Sequence, residues 1–199
     1  MKRTLLILVI ILVGLFNLQA QKMDVGTNFL SLGIGPSTSY NNYTAIGMPA
    51  VRVSFDHGLK KIGPGVLTLG GALGFFNEHY NSTVGWWDNS GYHTQPYRAN
   101  WSYFVVDFRV GYYYNFKDLG IPDLNAYAGI GSGLRYQIFS DNYVGNGTAS
   151  SRPVNDESQA QFQFAIYGGA NYFVTKRIAF FTEFGYDISW FTAGVTFQL

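Results

Sequence analysis

Apolar and polar positions alternate with a period of two through most of this chain, which predicts strands whose two faces meet different surroundings. Leu30, Leu32 and Ile34 oppose Ser31, Gly33 and Gly35, and Val51, Val53 and Phe55 oppose Arg52, Ser54 and Asp56. A third run sets Leu67, Leu69, Leu73 and Phe75 against Thr68, Gly70, Ala72 and Gly74, and a fourth sets Phe104, Val106, Phe108, Val110 and Tyr112 against Val105, Asp107, Arg109 and Gly111. Ala126, Ala128, Ile130 and Leu134 face away from Asn125, Tyr127, three glycines, Arg135 and Gln137 in a fifth. Phe162, Phe164 and Ile166 mark a sixth strand, and Ile178, Phe180, Phe184 and Tyr186 a seventh, with Glu183 and Asp187 opposite. The eighth is Trp190 to Leu199, where Phe191, Ala193, Val195, Phe197 and Leu199 alternate with Thr192, Gly194, Thr196 and Gln198. An apolar terminal strand needs a partner for its edge, and pairing with the first strand closes a barrel.

The links between these strands differ in length. Residues 38–48, 77–100 and 140–158 form long polar segments, whereas 60–65, 115–123 and 174–177 are short turns, the first carrying Gly63, Pro64 and Gly65. Long loops then lie at one end and short turns with both termini at the other, the asymmetry of outer-membrane barrels. A soluble eight-stranded meander reverses the facing, with an apolar lumen and a polar exterior. The mid-strand charges Arg52, Asp56, Asp107, Arg109, Arg135 and Glu183 all oppose the large apolar side chains. Packing six phenylalanines into a narrow lumen while those charges face outward is the poorer solution. The expectation is an all-β, eight-stranded antiparallel up-and-down transmembrane β-barrel with the charges paired in its lumen, since an unpaired buried charge is costly.

Composition agrees. With 47% hydrophobic and 13% charged residues in 199, a single folded domain is expected. The 24 glycines, 15 tyrosines and 17 phenylalanines suit strands with aromatic girdles. Residues 1–20 carry Lys2 and Arg3, an apolar run from Leu5 to Val13 and the small-residue site Leu18-Gln19-Ala20. That core is shorter than the ~20 residues of a spanning helix, so a cleavable signal peptide is expected ahead of a barrel domain over 21–199. Removing Lys2 and Arg3 from the 13 basic residues leaves 11 against 12 acidic ones, with no basic field for nucleic acid. The absence of cysteine excludes disulfides and thiolate chemistry.

The segments Lys60 to Phe75, Gly111 to Phe116, Asn125 to Leu134 and Phe180 to Asp187, taken in order and closing on Phe197 and Leu199, resemble those of small Gram-negative outer-membrane β-barrel domain proteins. The resemblance spans essentially the whole mature chain. It implies residence in the outer membrane as a monomer with periplasmic termini, contact with membrane lipid and lipopolysaccharide, and insertion by the barrel-assembly machinery with Phe197 and Leu199 as the signal. It implies no activity, because this fold hosts adhesins, stability elements and lipid-modifying enzymes alike.

Candidate chemistry is sparse. A lipid hydrolase would need a serine activated by histidine near a membrane interface. His57 falls at the short-turn end of the second strand, while His79 and His93 fall in the segment that holds Ser82 and Ser90, so no nucleophile and base share a strand register. Glu78 and His79 are adjacent, not at a spacing that converges on one ion, and no metal, cofactor or catalytic residue is expected. A narrow pore is the other alternative, opposed by the lumenal charges. The favoured reading is a surface-binding or structural protein whose long loops meet its partners. Trp86 and Trp87 are the candidate contacts, with membership of an aromatic belt as their plainer role.

Overall fold

The computed structural model describes residues 23–37, 46–143, 154 and 156–199. The expected leader over 1–20 and most of segments 38–48 and 140–158 lie outside the described residues. The elements are β1 (Asn28–Gly35), β2 (Ile46–Gly47), β3 (Ala50–Ile62), β4 (Gly65–Asp88), β5 (Gly91–Asn115), a 3-10 turn (Phe116–Leu119), β6 (Leu124–Asp141), β7 (Gln159–Phe173), β8 (Ile178–Tyr186) and β9 (Phe191–Gln198). Every pairing is antiparallel, and β1 pairs with both β3 and β9. Apart from the two-residue β2, which lies on β4, the described strands form a closed ring of eight.

The registers give the barrel its dimensions. The pairs Gly65 to Tyr114, Ala126, Ala170, Thr182, Ala193, Ile34, Val51 and Phe75 circle the wall once and return to β4 ten residues from the start. A stagger of ten residues over eight strands corresponds to a tilt of about 40°. Along β5, Tyr114 to Phe104 then spans about 25 Å of height, the apolar band of an outer-membrane barrel.

Exposure follows the alternation. Leu73, Phe104, Val106, Phe108, Ile130, Leu134, Phe162, Phe164, Ile166, Phe180 and Phe184 are 47–74% exposed on the outer wall, while Arg52, Asp56, Asp107, Arg109 and Glu183 are buried inside. A continuous apolar exterior of this extent is incompatible with water and fits hydrocarbon. Glycine makes the inward face possible: Arg52 has Gly33 and Gly74 as its two cross-strand neighbours, and Arg109 has Gly70 and Gly131.

The short turns lie where expected, though β3 carries the ladder to Ile62 and only Gly63 and Pro64 intervene before β4. Gly63 takes φ +58, a backbone that other residues seldom adopt. At 116–119 the Asn115 side chain accepts from the Lys117 amide at 3.2 Å and caps the 3-10 turn.

The long segment expected over 77–100 is not a loop. β4 and β5 pair continuously from Asn77↔Ser102 to Asp88↔Gly91. Its residues lack apolar alternation because the ribbon leaves the membrane, so the pattern that marked the other strands has no lipid to answer there. Residues 46–48, at the end of the expected 38–48 loop, include β2, paired with Glu78 and His79, and residues 140 and 141 still belong to β6.

Candidate functional site

The lumen is filled in three layers. At the short-turn end Met23, Phe29, Tyr113, Tyr127, Tyr167 and Phe173 pack together, with the rings of Tyr113 and Tyr127 stacked at 4.7 Å. At the outer end Phe76, Trp101, Tyr103, Val105, Val154 and Ile188 form a second apolar layer. Charge lies between them.

Glu183 is the hub of the middle layer. Its carboxylate accepts from Arg52 Nη1, from Arg109 Nη2 at 2.8 Å and from the Tyr127 hydroxyl at 3.0 Å. Arg52 Nη1 also lies 3.5 Å from Asp187 Oδ2. The guanidinium of Arg109 sits 3.7 Å over the ring of Tyr167, a cation–π contact in a site closed to water. Asp56 accepts from the Tyr113 hydroxyl at 3.1 Å. These groups hold one another in place and fill the middle of the lumen.

Three of the six residues expected in one network stand apart from its hub, Asp56 among them with the Tyr113 hydroxyl as its donor. Asp107 accepts from Gln163 Nε2 at 2.9 and 2.8 Å instead of receiving an arginine. Arg135 donates to Gln161 nearer the outer mouth, two cross-strand steps above Asp107. The cause is register: inward facing is shared by all six charges, but height along the barrel decides which of them meet. Asp187, one residue beyond β8, joins the hub although it was not expected there, and Tyr113, Tyr127 and Gln163 add hydrogen bonds to the buried carboxylates.

A latch closes the outer mouth. Asp156 accepts from Trp101 Nε1 at 2.7 Å and from Gln137 Nε2 at 3.1 Å, the Phe139 amide donates to Ser158 Oγ at 3.0 Å, and Asn142 bonds both Arg98 and Pro96 on β5. The described part of the β6–β7 connection is thereby fastened across the base of the ribbon. Spacing alone gave no sign of Asp156, because its partners are 55 and 19 residues away.

The ribbon formed by 81–98 lies past the last β5–β6 pair, Ala99↔Asp141; its base, with buried Val84 and Tyr97, packs in the outer apolar layer, and above that β4 and β5 pair only with each other. Trp87 lies twelve residues beyond Phe75, about 40 Å of strand. Its ring is 72% exposed and packs against Tyr92 at 5.1 Å, and the Tyr92 ring in turn covers Gly85, where a Cβ would meet it at 2.7 Å. Trp86 is in register with His93, its side chain outside what is described. Ser90 Oγ and His93 Nε2 are 3.1 Å apart on the exposed tip, too far from the apolar band to reach a membrane-held acyl ester. His57 faces outward and its Nδ1 bonds Asn28 Oδ1 at 2.7 Å across the β1–β3 pair. Phe197 is paired with Leu30 and Ile178 on the outer wall, and exposed Leu199 donates its amide to Asn28.

Closed ring, lipid-compatible exterior and a filled lumen with a charged middle layer define an eight-stranded transmembrane β-barrel of the bacterial outer membrane. No family profile and no curated protein matches the chain. Among solved structures it is similar in shape to the attachment invasion locus protein Ail of Yersinia pestis in complex with the heparin analogue sucrose octasulfate, at 10% identity over 86% of this chain and 93% of that one, with a TM-score of 0.42. Ail in a phospholipid bilayer nanodisc gives 12% identity over 87% and 99% of the two chains and a TM-score of 0.38. At this identity and overlap the likeness extends no further than general shape.

Proposed function

We propose that this protein binds partners at the cell surface through the β4–β5 ribbon, and that neither catalysis nor permeation is its role. The observation that carries the reading is the ribbon itself. A two-stranded hairpin is marginal alone, yet this one extends eight pairs past the last β5–β6 pair, with only its base packed on the barrel, and ends in an exposed tryptophan and tyrosine. Exposed aromatics on a projecting element are the side chains that dominate recognition surfaces. The three-layered filling of the lumen argues against a pore, and the place of Ser90 and His93 argues against lipid hydrolysis.

The test replaces residues 81–98 by a minimal turn and compares binding of lipopolysaccharide and of host-surface proteins by the intact and shortened barrels, both folded in bilayers. The shortened barrel is expected to fold and to lose binding. Retention of binding by the shortened barrel, together with its loss in His57→Ala, would reject the reading and reopen the lipid-modifying alternative.

A further inference from the structure

The four lysines among the described residues, Lys60, Lys61, Lys117 and Lys176, all lie at the short-turn end of the barrel, together with Arg177. All five side chains are exposed, and none takes part in an ion pair among the described residues. They are spread over each of the three short turns, so they ring the rim instead of clustering at one point. The acidic residues described at this end are Asp24, Asp118 and Asp123. The Asp24 carboxylate is turned onto its own loop, accepting from the Val25 amide at 2.8 Å. At the outer end the balance is reversed, with Arg98 the one basic residue described outside the lumen against Asp88, Asp141, Asp156 and Glu157.

The height of the basic rim gives it a meaning. A β-bulge between Gly58 and Lys60 shifts the register so that Lys60 pairs with outward-facing Leu67, which pairs on its other side with Tyr112. Tyr112, Tyr114 and Tyr172 share the outward register at this end and form its aromatic girdle, and Tyr112 donates to the Ile62 carbonyl at 2.9 Å. Exposed Leu59 and Ile62 flank the two lysines, of which Lys60 takes the outward register and Lys61, paired with buried Val66, the inward one at the barrel mouth beside Lys117. An ammonium on a long apolar stem beside a tyrosine girdle sits at the depth of lipid phosphates, with its stem in hydrocarbon and its head at the interface.

We propose that this rim is a binding surface for anionic phospholipid headgroups of the periplasmic leaflet, with Lys60, Lys176 and Arg177 as the contacts and Lys61 and Lys117 at the barrel mouth adding to its positive field. Charge complementarity selects the occupant: phosphates of the lipids that already surround the barrel at that depth. The same contrast leaves the described outer end, which is net acidic, poorly suited to hold phosphate. Such a rim fixes the vertical position of the barrel and enriches anionic lipid around its lower end, independently of what the ribbon binds.

The test uses the full barrel refolded in phosphatidylcholine bilayers carrying spin-labelled phosphatidylglycerol or spin-labelled phosphatidylcholine, with the motionally restricted lipid measured for each. The expected result is a preference for phosphatidylglycerol of about two- to fivefold, reduced by salt, as basic residues near an anionic surface produce. The variant Lys60→Gln/Lys61→Gln/Lys117→Gln/Lys176→Gln/Arg177→Gln is expected to lose the preference and Arg98→Gln to keep it. The pairs Lys60→Gln/Lys61→Gln and Lys176→Gln/Arg177→Gln, measured separately, should each lower it, which guards against misfolding of the fivefold variant. Absence of the preference in the wild-type barrel, its survival in the fivefold variant, or its abolition by soluble glycerophosphate at constant ionic strength would overturn the proposal.

Discussion

Gly169 and Glu183 are direct cross-strand partners between β7 and β8, and the space that the glycine leaves empty is where the Tyr127 hydroxyl reaches the Glu183 carboxylate. A Cβ at residue 169 would stand 2.7 Å from both the hydroxyl and Cζ of Tyr127 and would also press on the Thr182 carbonyl. Gly169→Ala is therefore expected to push Tyr127 off its carboxylate and destabilise the barrel by about 1–3 kcal/mol, the usual cost of overpacking. Urea titration of the barrel in phospholipid vesicles measures it. An unchanged midpoint would mean that the hub tolerates displacement of its tyrosine.

Removing the hub itself should cost more. Glu183→Ala leaves Arg52 and Arg109 facing each other without the carboxylate that bonds both, and orphaning a buried charge costs about 3–5 kcal/mol. Planar-bilayer conductance should nevertheless stay near that of the wild-type barrel, because the aromatic layers above and below remain packed. A large, stable conductance step in this variant would show that the charged layer alone closes the lumen.

Facing was legible in the sequence and height was not. Each strand that crosses lipid announces itself by alternation, since Leu69, Leu73 and Phe75 must face hydrocarbon while Thr68, Gly70 and Ala72 face a crowded lumen. Above Phe75 that contrast ends, so Asn77, His79 and Asn81 read as a loop although the ladder continues to Asp88. The Asp88-Asn89-Ser90-Gly91 turn carried the hairpin signal, with Gly91 at φ +126, but without flanking apolar alternation it did not stand out. The charges show the same division. Inward facing places Arg52, Arg109 and Glu183 in one lumen, and only the strand registers bring these three together while sending Arg135 to Gln161. Asp156 and Asp187 lie just outside strands, where periodicity carries no information about partners.

Asp156 supports a third prediction. It takes the indole N–H of fully buried Trp101 and the amide of Gln137, so Asp156→Ala withdraws one acceptor from two buried donors at once. The loss should be about 1–3 kcal/mol, and it should be local, freeing the β6–β7 connection while β5 and β6 stay paired. Limited proteolysis of the folded protein is expected to cut within residues 142–158 faster in the variant, with the barrel core intact on gels. Equal cutting rates would assign the closure of the outer mouth to other contacts.

The last prediction concerns Trp87 and separates a surface ribbon from a membrane belt. A belt tryptophan is quenched by bromine on lipid acyl chains and shielded from aqueous quenchers, whereas a ring twelve residues beyond Phe75 stands in water. With Trp86, Trp101 and Trp190 replaced by Phe, the fluorescence of Trp87 should be quenched efficiently by acrylamide and left unchanged by brominated lipid. Its emission should lie to the red, as the 72% exposure of the ring implies. Trp87→Ala in the otherwise native chain should leave stability within about 0.5 kcal/mol, since an exposed side chain with one aromatic neighbour contributes little to folding. If surface binding falls in that variant while the unfolding midpoint holds, the tip acts by contact with a partner; quenching by brominated lipid would instead return Trp87 to the interface and remove the ribbon from consideration as a binding element.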